Sequence, residues 1–493
     1  MLTLAQAAED HKPRPYVGKA EGIYPSSPRL DTDGNTINAH GIGIYQEGDT
    51  YYMVGEKRTD RNDAFVSFTN SEDRFAGVNL YASSDLINWR FLGTPIVPIK
   101  HSLLSSWRIG ERPKLYYNAL TKKYFILVKS MIWGGFSNQY VISTADHVAG
   151  PYTYVGALRF GGKNPATGDV NVFVDDDRSG YLVVPDGKIY KLSDDFLSIE
   201  REVVADVWGA AVKREGYCKS EGPGFFKTDD GYFLLGSKGT YWRGSDNFYA
   251  SAPRIEGPWT FHGMLAPEGT KTWNSQSGFV LPVRGSAGTT YVYMGDRWVN
   301  GRLGASTLVW QPLQVHGTHV SLPNYHQGWR IDAAAGTWSP LNTEDGAESI
   351  NNHVEGSGLY QWIYQGHWSR RDGAGNYAND VSESSTKNDT AMVGFVGTQI
   401  YLYTAISDRD LGIMGITLLD ALGRPLFAEQ FVSLRTDAGA QGNYLSYASP
   451  VLPKAEYKLR VRVTGLKDRS SKKSTIAIDR VMIMNTDASA LHR

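Results

Sequence analysis

The chain has 493 residues, with 50 Lys and Arg against 51 Asp and Glu, a formal net charge of −1. That length calls for two or three packed units, and the charge balance excludes a nucleic-acid binder working through a basic face. Aromatic residues are 12% of the chain and glycine contributes 53 residues, a composition of β structure with many tight turns rather than of helical bundles or disorder. The one cysteine, Cys218, excludes an internal disulfide and Cys-cluster zinc or iron–sulfur sites. No apolar run reaches the roughly 18 residues of a membrane-spanning helix. The opening MLTLAQAAEDHKPRP is no intact signal peptide, because its apolar stretch is short and has no basic start.

From residue 40 onward one pattern recurs: a polar residue, a short apolar strand, a turn, then an aromatic-led strand. The copies are HGIGIYQEGDTYYMVG from His40, ERPKLYYNALTKKYFILVK from Glu111, DVNVFVDDDRSGYLVV from Asp169, EGPGFFKTDDGYFLLGS from Glu221 and QSGFVLPVRGSAGTTYVYMG from Gln276. The second strands start near Tyr51, Tyr124, Tyr181, Tyr232 and Tyr291. An outer hairpin expected to end in a buried aromatic (Trp89, Tyr154, Trp259) repeats in three copies. Five four-stranded units in one array predict an all-β fold, a five-bladed β-propeller over roughly 30–340, preceded by an N-terminal extension over 1–29. LNTEDGAESINNH, after Trp338, reads as a linker. The alternating apolar strands that follow, with a turn at Asp420–Gly423, predict a second unit over 341–493, an antiparallel β-sandwich of the jelly-roll kind.

The innermost strands of a propeller surround its axis, so His40, Glu111, Asp169, Glu221 and Gln276 are expected to converge on one funnel. Three of them are carboxylic acids. Carboxyls held together repel when ionised, so at least one is expected to keep its proton near neutral pH. Hydrolysis of a glycosidic bond needs such an acid at the leaving oxygen. Trp133, Tyr241, Trp242, Trp273 and Trp298 lie in or beside loops expected to rim the funnel, where a ring could stack on a sugar face or simply pack a blade. GxxxxGK[ST], HExxH and GxSxG are absent from the sequence. Asp175-Asp176-Asp177 has the start of a calcium loop, but a blade turn accounts for it better. His316 and His319 read as strand residues rather than a metal pair.

The segments NTINAHGIGI (35–44), GERPKLYYN (110–118), GDVNVFVDDD (168–177), SEGPGFFK (220–227), TWNSQSGFV (272–280) and YMGDRW (293–298) together resemble glycoside hydrolase family 43, in its branch of exo-β-1,3-galactanases and related exo-glycosidases. The resemblance covers roughly 30–340 and implies an inverting glycosidase. It implies Glu221 as general acid and Asp169 as the residue that tunes and orients it. The usual base, an Asp in the first blade, is replaced here by Asn38-Ala39-His40, as in the galactanase branch. There the glutamine matching Gln276 has been proposed to handle the attacking water as an imidic acid; Glu111 is the rival base, or a sugar-binding carboxylate. Glu56 is implied as a contact to sugar hydroxyls, with His40, Tyr241, Trp242, Trp273 and Arg297 as further substrate-side candidates. His40 could instead face a pore water or ion, and Arg297 could pair with one of the acids or serve structure.

The acid stands in SEGPG where the galactanases show an EAP-like motif, and a neighbouring branch acts on β-galactofuranosides or α-arabinofuranosides. Release of terminal galactose from β-1,3-galactan or arabinogalactan-type glycans is therefore the leading expectation, with those furanosides next. A non-catalytic sugar-binding propeller and a protein-interaction propeller follow. The C-terminal unit resembles carbohydrate-binding modules through NNHVEG, FVGTQIYLY and IAIDRVMI, with Trp362, Tyr364 or Trp368 as binding candidates. The partner implied is an oligo- or polysaccharide, with no nucleic acid and no membrane span. No organic cofactor is implied, no metal ligand is assigned, and a structural calcium stays open. The expected location is secreted or periplasmic.

Overall fold

The computed structural model describes residues 18–59, 74–132, 138–165, 168–209, 220–346 and 348–485. Trp133 and Cys218, singled out in the sequence, lie outside the described residues.

Strands dominate, and they form in sequence-local antiparallel sheets. The first sheet holds β1 (His40–Glu47), β2 (Thr50–Glu56), β3 (Val78–Ser83) and β4 (Arg90–Ile96), paired in chain order. The second holds β5 (Ile109–Asn118), β6 (Lys123–Met131), β7 (Gln139–Ala145) and β8 (Thr153–Ala157). The third holds β9 (Asn171–Val174), β10 (Gly180–Val183), β11 (Ile189–Leu192) and β12 (Ile199–Val204). The fourth holds β13 (Ser220–Thr228), β14 (Gly231–Lys238), β15 (Asn247–Ala252) and β16 (Thr260–Met264). The fifth has three strands, β17 (Gln276–Arg284), β18 (Thr289–Arg297) and β19 (Thr307–Pro312). Among the described residues no hydrogen-bonded ladder joins these sheets; instead β1, β5, β9, β13 and β17 touch in cyclic order, with β17 returning to β1.

The sheets are sealed face to face by apolar side chains, as expected when each sheet has two covered faces. Phe226, Phe233 and Tyr249 of the fourth sheet share one cluster with Val280, Tyr293 and Val309 of the fifth. Trp89 of the first sheet meets Trp310 of the fifth edge-on, with ring centroids 6.0 Å apart. Trp89 is fully buried, whereas Tyr154 and Trp259 are half-buried.

The segment expected as an N-terminal extension is, over its described part 18–29, built into the core. Ile23 bridges to Trp329 and Lys19 to Val451, and the Tyr24 hydroxyl meets that of Tyr401 at 2.7 Å. The polar stretch read as a linker holds a strand, Glu348–Asn351, paired with Ile476–Met484. Its polarity misleads because only Ile350 and Asn351 of the four are buried.

Beyond it, two antiparallel sheets of six and five strands enclose one apolar core drawn from Ile350 to Ile483. Trp362 is part of that core, 1% exposed. Its ring is stacked 6.0 Å from the half-buried Tyr364, whose hydroxyl donates to the Asn352 carbonyl. Trp362→Ala should therefore cost about 3–5 kcal/mol, the loss typical of emptying a core aromatic site, measured by denaturant unfolding of the intact chain.

Candidate active site

The five polar residues aligned in the sequence stand at the entry to the five inner strands. His40, Glu111, Glu221 and Gln276 lie at or near the starts of β1, β5, β13 and β17, and Asp169 lies two residues before β9. In four sheets the ladder shifts register just past the polar residue: His40/Gly43, Glu111/Lys114, Glu221/Gly224 and Ser277/Phe279. A bulge of this kind re-aims a side chain out of the regular alternation.

Three of these bulges hold a residue at positive φ directly after the polar one: Gly41 (57°), Arg112 (52°) and Gly222 (58°). Each turned amide donates to a carboxylate of another sheet. Gly41 N–H reaches Asp296 Oδ1 at 3.1 Å, Arg112 N–H reaches Glu56 Oε1 at 2.7 Å, and Gly222 N–H reaches Asp169 Oδ2 at 2.9 Å. Glycine is required at 222, where an added Cβ would lie 1.9 Å from the Ser277 carbonyl oxygen. Arg112 stands in the same conformation with a full side chain, at a backbone cost of about 1–2 kcal/mol.

That side chain is the hub of the site. Its guanidinium is buried; Nε lies 3.1 Å from Asp169 Oδ2 and Nη1 3.2 Å from Asp296 Oδ2, and Nη2 donates to Gln276 Oε1 at 2.5 Å. A second buried cation, Lys129, places Nζ 2.7 Å from Glu111 Oε2 and 3.0 Å from Asp169 Oδ1. Lys114, also buried, turns Nζ to the carbonyls of Gly41 and Ile42 at 3.0 and 2.6 Å, and burial with the charge of Arg112 lowers it to about 7.

These charges separate the acids. Burial works against an ionised Asp169, but Arg112 and Lys129 on its two oxygens outweigh it and hold this carboxyl well below the usual range. Glu221 is half-buried with no cation in contact among the described residues; burial first, then the negative Asp169, push it up to about 7. Burial likewise lifts Asp296, to about 6, against the pull of Arg112.

Glu221 Oε2 accepts from the Tyr241 backbone N–H at 2.9 Å and from Gln276 Nε2 at 3.0 Å. Gln276 also donates to the Tyr241 carbonyl at 3.3 Å, while its Oε1 accepts from the Trp298 indole N–H at 2.8 Å. Glu56, 3% exposed, is paired with Arg58 besides its bond to the Arg112 amide. His40 is buried beside Trp298, with ring centroids 6.2 Å apart.

Other sequence candidates are placed differently. The ring of Tyr241 is 74% exposed and Trp242 is half-buried on the same loop. Trp273 packs on the cluster between the fourth and fifth sheets and donates its indole N–H to the Leu322 carbonyl at 3.0 Å. Arg297 reaches the Asn274 and Trp273 carbonyls and the hydroxyls of Ser26 and Tyr325, and it takes part in no ion pair among the described residues. Asp175 accepts from Lys227 and Tyr232, which makes it part of a surface turn. The described residues contain no group of three or more His, Cys, Asp or Glu side chains able to hold a metal ion.

Arg112, Lys129, Lys114 and Asp296 were not singled out by sequence. One signal for Arg112 was present: it stands where two other repeats carry glycine, Gly41 after His40 and Gly222 after Glu221.

The profile of glycosyl hydrolases family 43 matches residues 57–243. An exo-β-1,3-galactanase from Phanerochaete chrysosporium, crystallised with β-1,3-galactotriose, is 25% identical with a TM-score of 0.66, over 94% of this chain and 100% of that one. A protein from Bifidobacterium bifidum s17, assigned as an exo-β-1,3-galactanase, is 30% identical with a TM-score of 0.53, over 60% of this chain and 95% of that one. A xylan 1,3-β-xylosidase from Vibrio sp is 25% identical over 240 residues, and this chain spans 40% of its length. The chain belongs to glycosyl hydrolase family 43.

Replacing Arg112 by Met should cost about 3–5 kcal/mol, because Asp169 and Asp296 would stay buried without their counter-charge. The deficit should shrink as pH is lowered and these carboxyls protonate. Urea unfolding at a series of pH values measures both.

Proposed function

We propose that the chain is an exo-acting, inverting glycosidase that releases galactose from the ends of β-1,3-galactan or arabinogalactan-type chains. Its architecture is a five-bladed β-propeller over 30–340 followed by a carbohydrate-binding-module-like β-sandwich over 341–493. The observation that carries the reading is Glu221: a carboxyl raised to about 7 beside a carboxyl, Asp169, held ionised. Two acids pushed apart in this way suit one to give a proton near neutral pH and the other to set the field around it. The galactanase relatives favour β-1,3-linked galactose as the sugar.

Glu221 donates its proton to the glycosidic oxygen as the bond to the anomeric carbon breaks. Water adds to the opposite face of that carbon and gives up its own proton, so the anomeric configuration inverts. Two side chains compete to receive that proton. Gln276 would need its imidic tautomer, yet its Oε1 already accepts from Arg112 and Trp298, a pattern that favours the amide. Glu111 has one oxygen on Lys129, and Oε1 makes no hydrogen bond within the described residues, which favours it for the water. The reaction as written needs no cofactor. Secretion or a periplasmic location suits a polysaccharide substrate.

Hydrolysis of β-1,3-galactobiose should yield α-galactose first, followed by NMR in the first minutes. Glu221→Gln should lower kcat by about 10²–10⁴-fold and lose less on an aryl galactoside whose leaving group needs no proton. Glu111→Gln should lose equally on both. In the unmodified chain kcat should fall as pH rises through about 7, where Glu221 loses its proton. Full activity of Glu221→Gln on galactobiose would overturn the assignment, and turnover of aryl β-galactofuranoside or α-arabinofuranoside alone would move the substrate to the furanosides.

A further inference from the structure

Both groups that hold Gln276 and Glu221 together sit on loops gripped from the C-terminal sheets. The loop 239–246, between β14 and β15, carries Tyr241, whose amide bonds Glu221 and whose carbonyl bonds Gln276. Two residues on, Arg243 donates from Nε and Nη2 to Asp437 Oδ1 at 3.1 and 2.9 Å, and Gly244 N–H donates to Asp437 Oδ2 at 3.0 Å. The Asp437 amide in turn donates to Asn274 Oδ1 at 2.8 Å, two residues before Gln276. The Asp437 side chain is 7% exposed and paired with Arg435 at 2.8 Å. Arg435 also faces Asp468 at 3.5 Å, and Asp468 Oδ2 accepts from the Asn300 amide at 2.6 Å. Asn300 lies two residues after Trp298, the donor to Gln276 Oε1.

We infer that the C-terminal unit is a working part of the active site, its Asp437–Arg435–Asp468 clamp positioning the Tyr241 and Trp298 loops around Gln276 and Glu221. The inference rests on the reading of Glu221 as the acid. Asp437 touches no reacting atom in this scheme; it is a positioning residue acting through the Tyr241 loop. The Asp437 carboxylate takes the Arg243 guanidinium and the Gly244 amide together, so its loss would free the Tyr241 loop at both points. The charges that bear most on Glu221 are those of Asp169, Lys129 and Arg112. Asp437 reaches the acid through the Tyr241 loop, whose amide donates to Glu221. That N–H favours the ionised carboxylate, so loosening it should raise the pH at which Glu221 gives up its proton.

The test is Asp437→Asn in the full chain, with kcat and KM for β-1,3-galactobiose measured from pH 4 to 9. The expected result is at least a tenfold fall in kcat, a smaller change in KM, and an alkaline limb of kcat shifted to higher pH. Asp437→Glu should recover part of the rate. Glu383→Gln, which breaks the exposed pair with Arg371 in the same unit, should leave both the rate and the limb where they were. A folded Asp437→Asn with unchanged kcat and unchanged limb, while Glu221→Gln is inactive, would overturn the clamp and leave the acid assignment standing. Should Asp437→Asn fail to fold, Arg243→Ala opens the same contact from the other side, where the side chain is 48% exposed. An unmoved limb there would overturn the inference equally. Full turnover by Glu221→Gln would remove the acid and the clamp's role together.

Discussion

A buried guanidinium is the constraint on which the centre of this molecule depends. Arg112 brings one positive charge among Asp169, Asp296 and the amide oxygen of Gln276, and through its backbone N–H it also holds Glu56. Those partners come from the first, third and fifth sheets, while Arg112 belongs to the second. Taking an isolated charge out of water costs several kcal/mol, so neither the cation nor its acids would tolerate this place alone. At an effective dielectric of about 20, each contact near 4 Å recovers about 4 kcal/mol, and Arg112 makes more than one. The side chain thus fixes the mutual position of sheets that share no hydrogen-bonded ladder.

The same contacts set two neighbouring carboxyls apart. Asp169 is surrounded by donors on every side: Arg112, Lys129 and the Gly222 amide. Its charge is permanent, and a permanent negative charge beside Glu221 makes a second ionisation unfavourable. Among the described residues Glu221 itself receives only neutral donors, the Tyr241 amide and the Gln276 amide group. The difference between a carboxyl ionised at any working pH and one poised near 7 is therefore a difference in donors. Both residues enter from the mouths of neighbouring inner strands, and one of them directly precedes the glycine bulge whose amide the other accepts.

The repeats carried the arrangement of strands in plain view, because alternating apolar residues and turn residues recur with every sheet. They also marked the polar residues at the entry to the five inner strands, since each repeat opens with a polar residue that has no apolar role to play. The cations were harder to see. Arg112 and Lys129 lie in stretches whose other residues read as strand, and only the register shift after Glu111 turns the Arg112 amide and side chain inward. Asp296 was hidden in a motif whose arginine drew attention, yet Arg297 faces the opposite way, to Ser26 and the rings of Tyr325 and Tyr444. Trp273 and Trp362 show the limit of reading aromatic residues by location. Both lie near loops or strand starts, and which way the ring turns is decided by long-range packing absent from local sequence. The strand hidden in the supposed linker failed for the same reason: its partner, Ile476–Met484, lies more than a hundred residues away.

The neutral residue at the fifth inner strand follows from the charge balance around Arg112. A carboxylate in place of Gln276 would add a further negative charge beside Glu221 and Asp169, and it would have no N–H to give to Glu221 Oε2. Glu221 would then bind its proton more tightly and lose a positioning contact at once. An amide avoids both: its oxygen takes the third face of the guanidinium and the Trp298 indole, and its nitrogen bridges the acid and the Tyr241 carbonyl. Glutamine is the side chain of that length that can accept on one side and donate on the other. The departure from a full set of acids fits one arginine at the centre, because its guanidinium is already shared by two carboxylates and a third would compete with them for it beside Glu221.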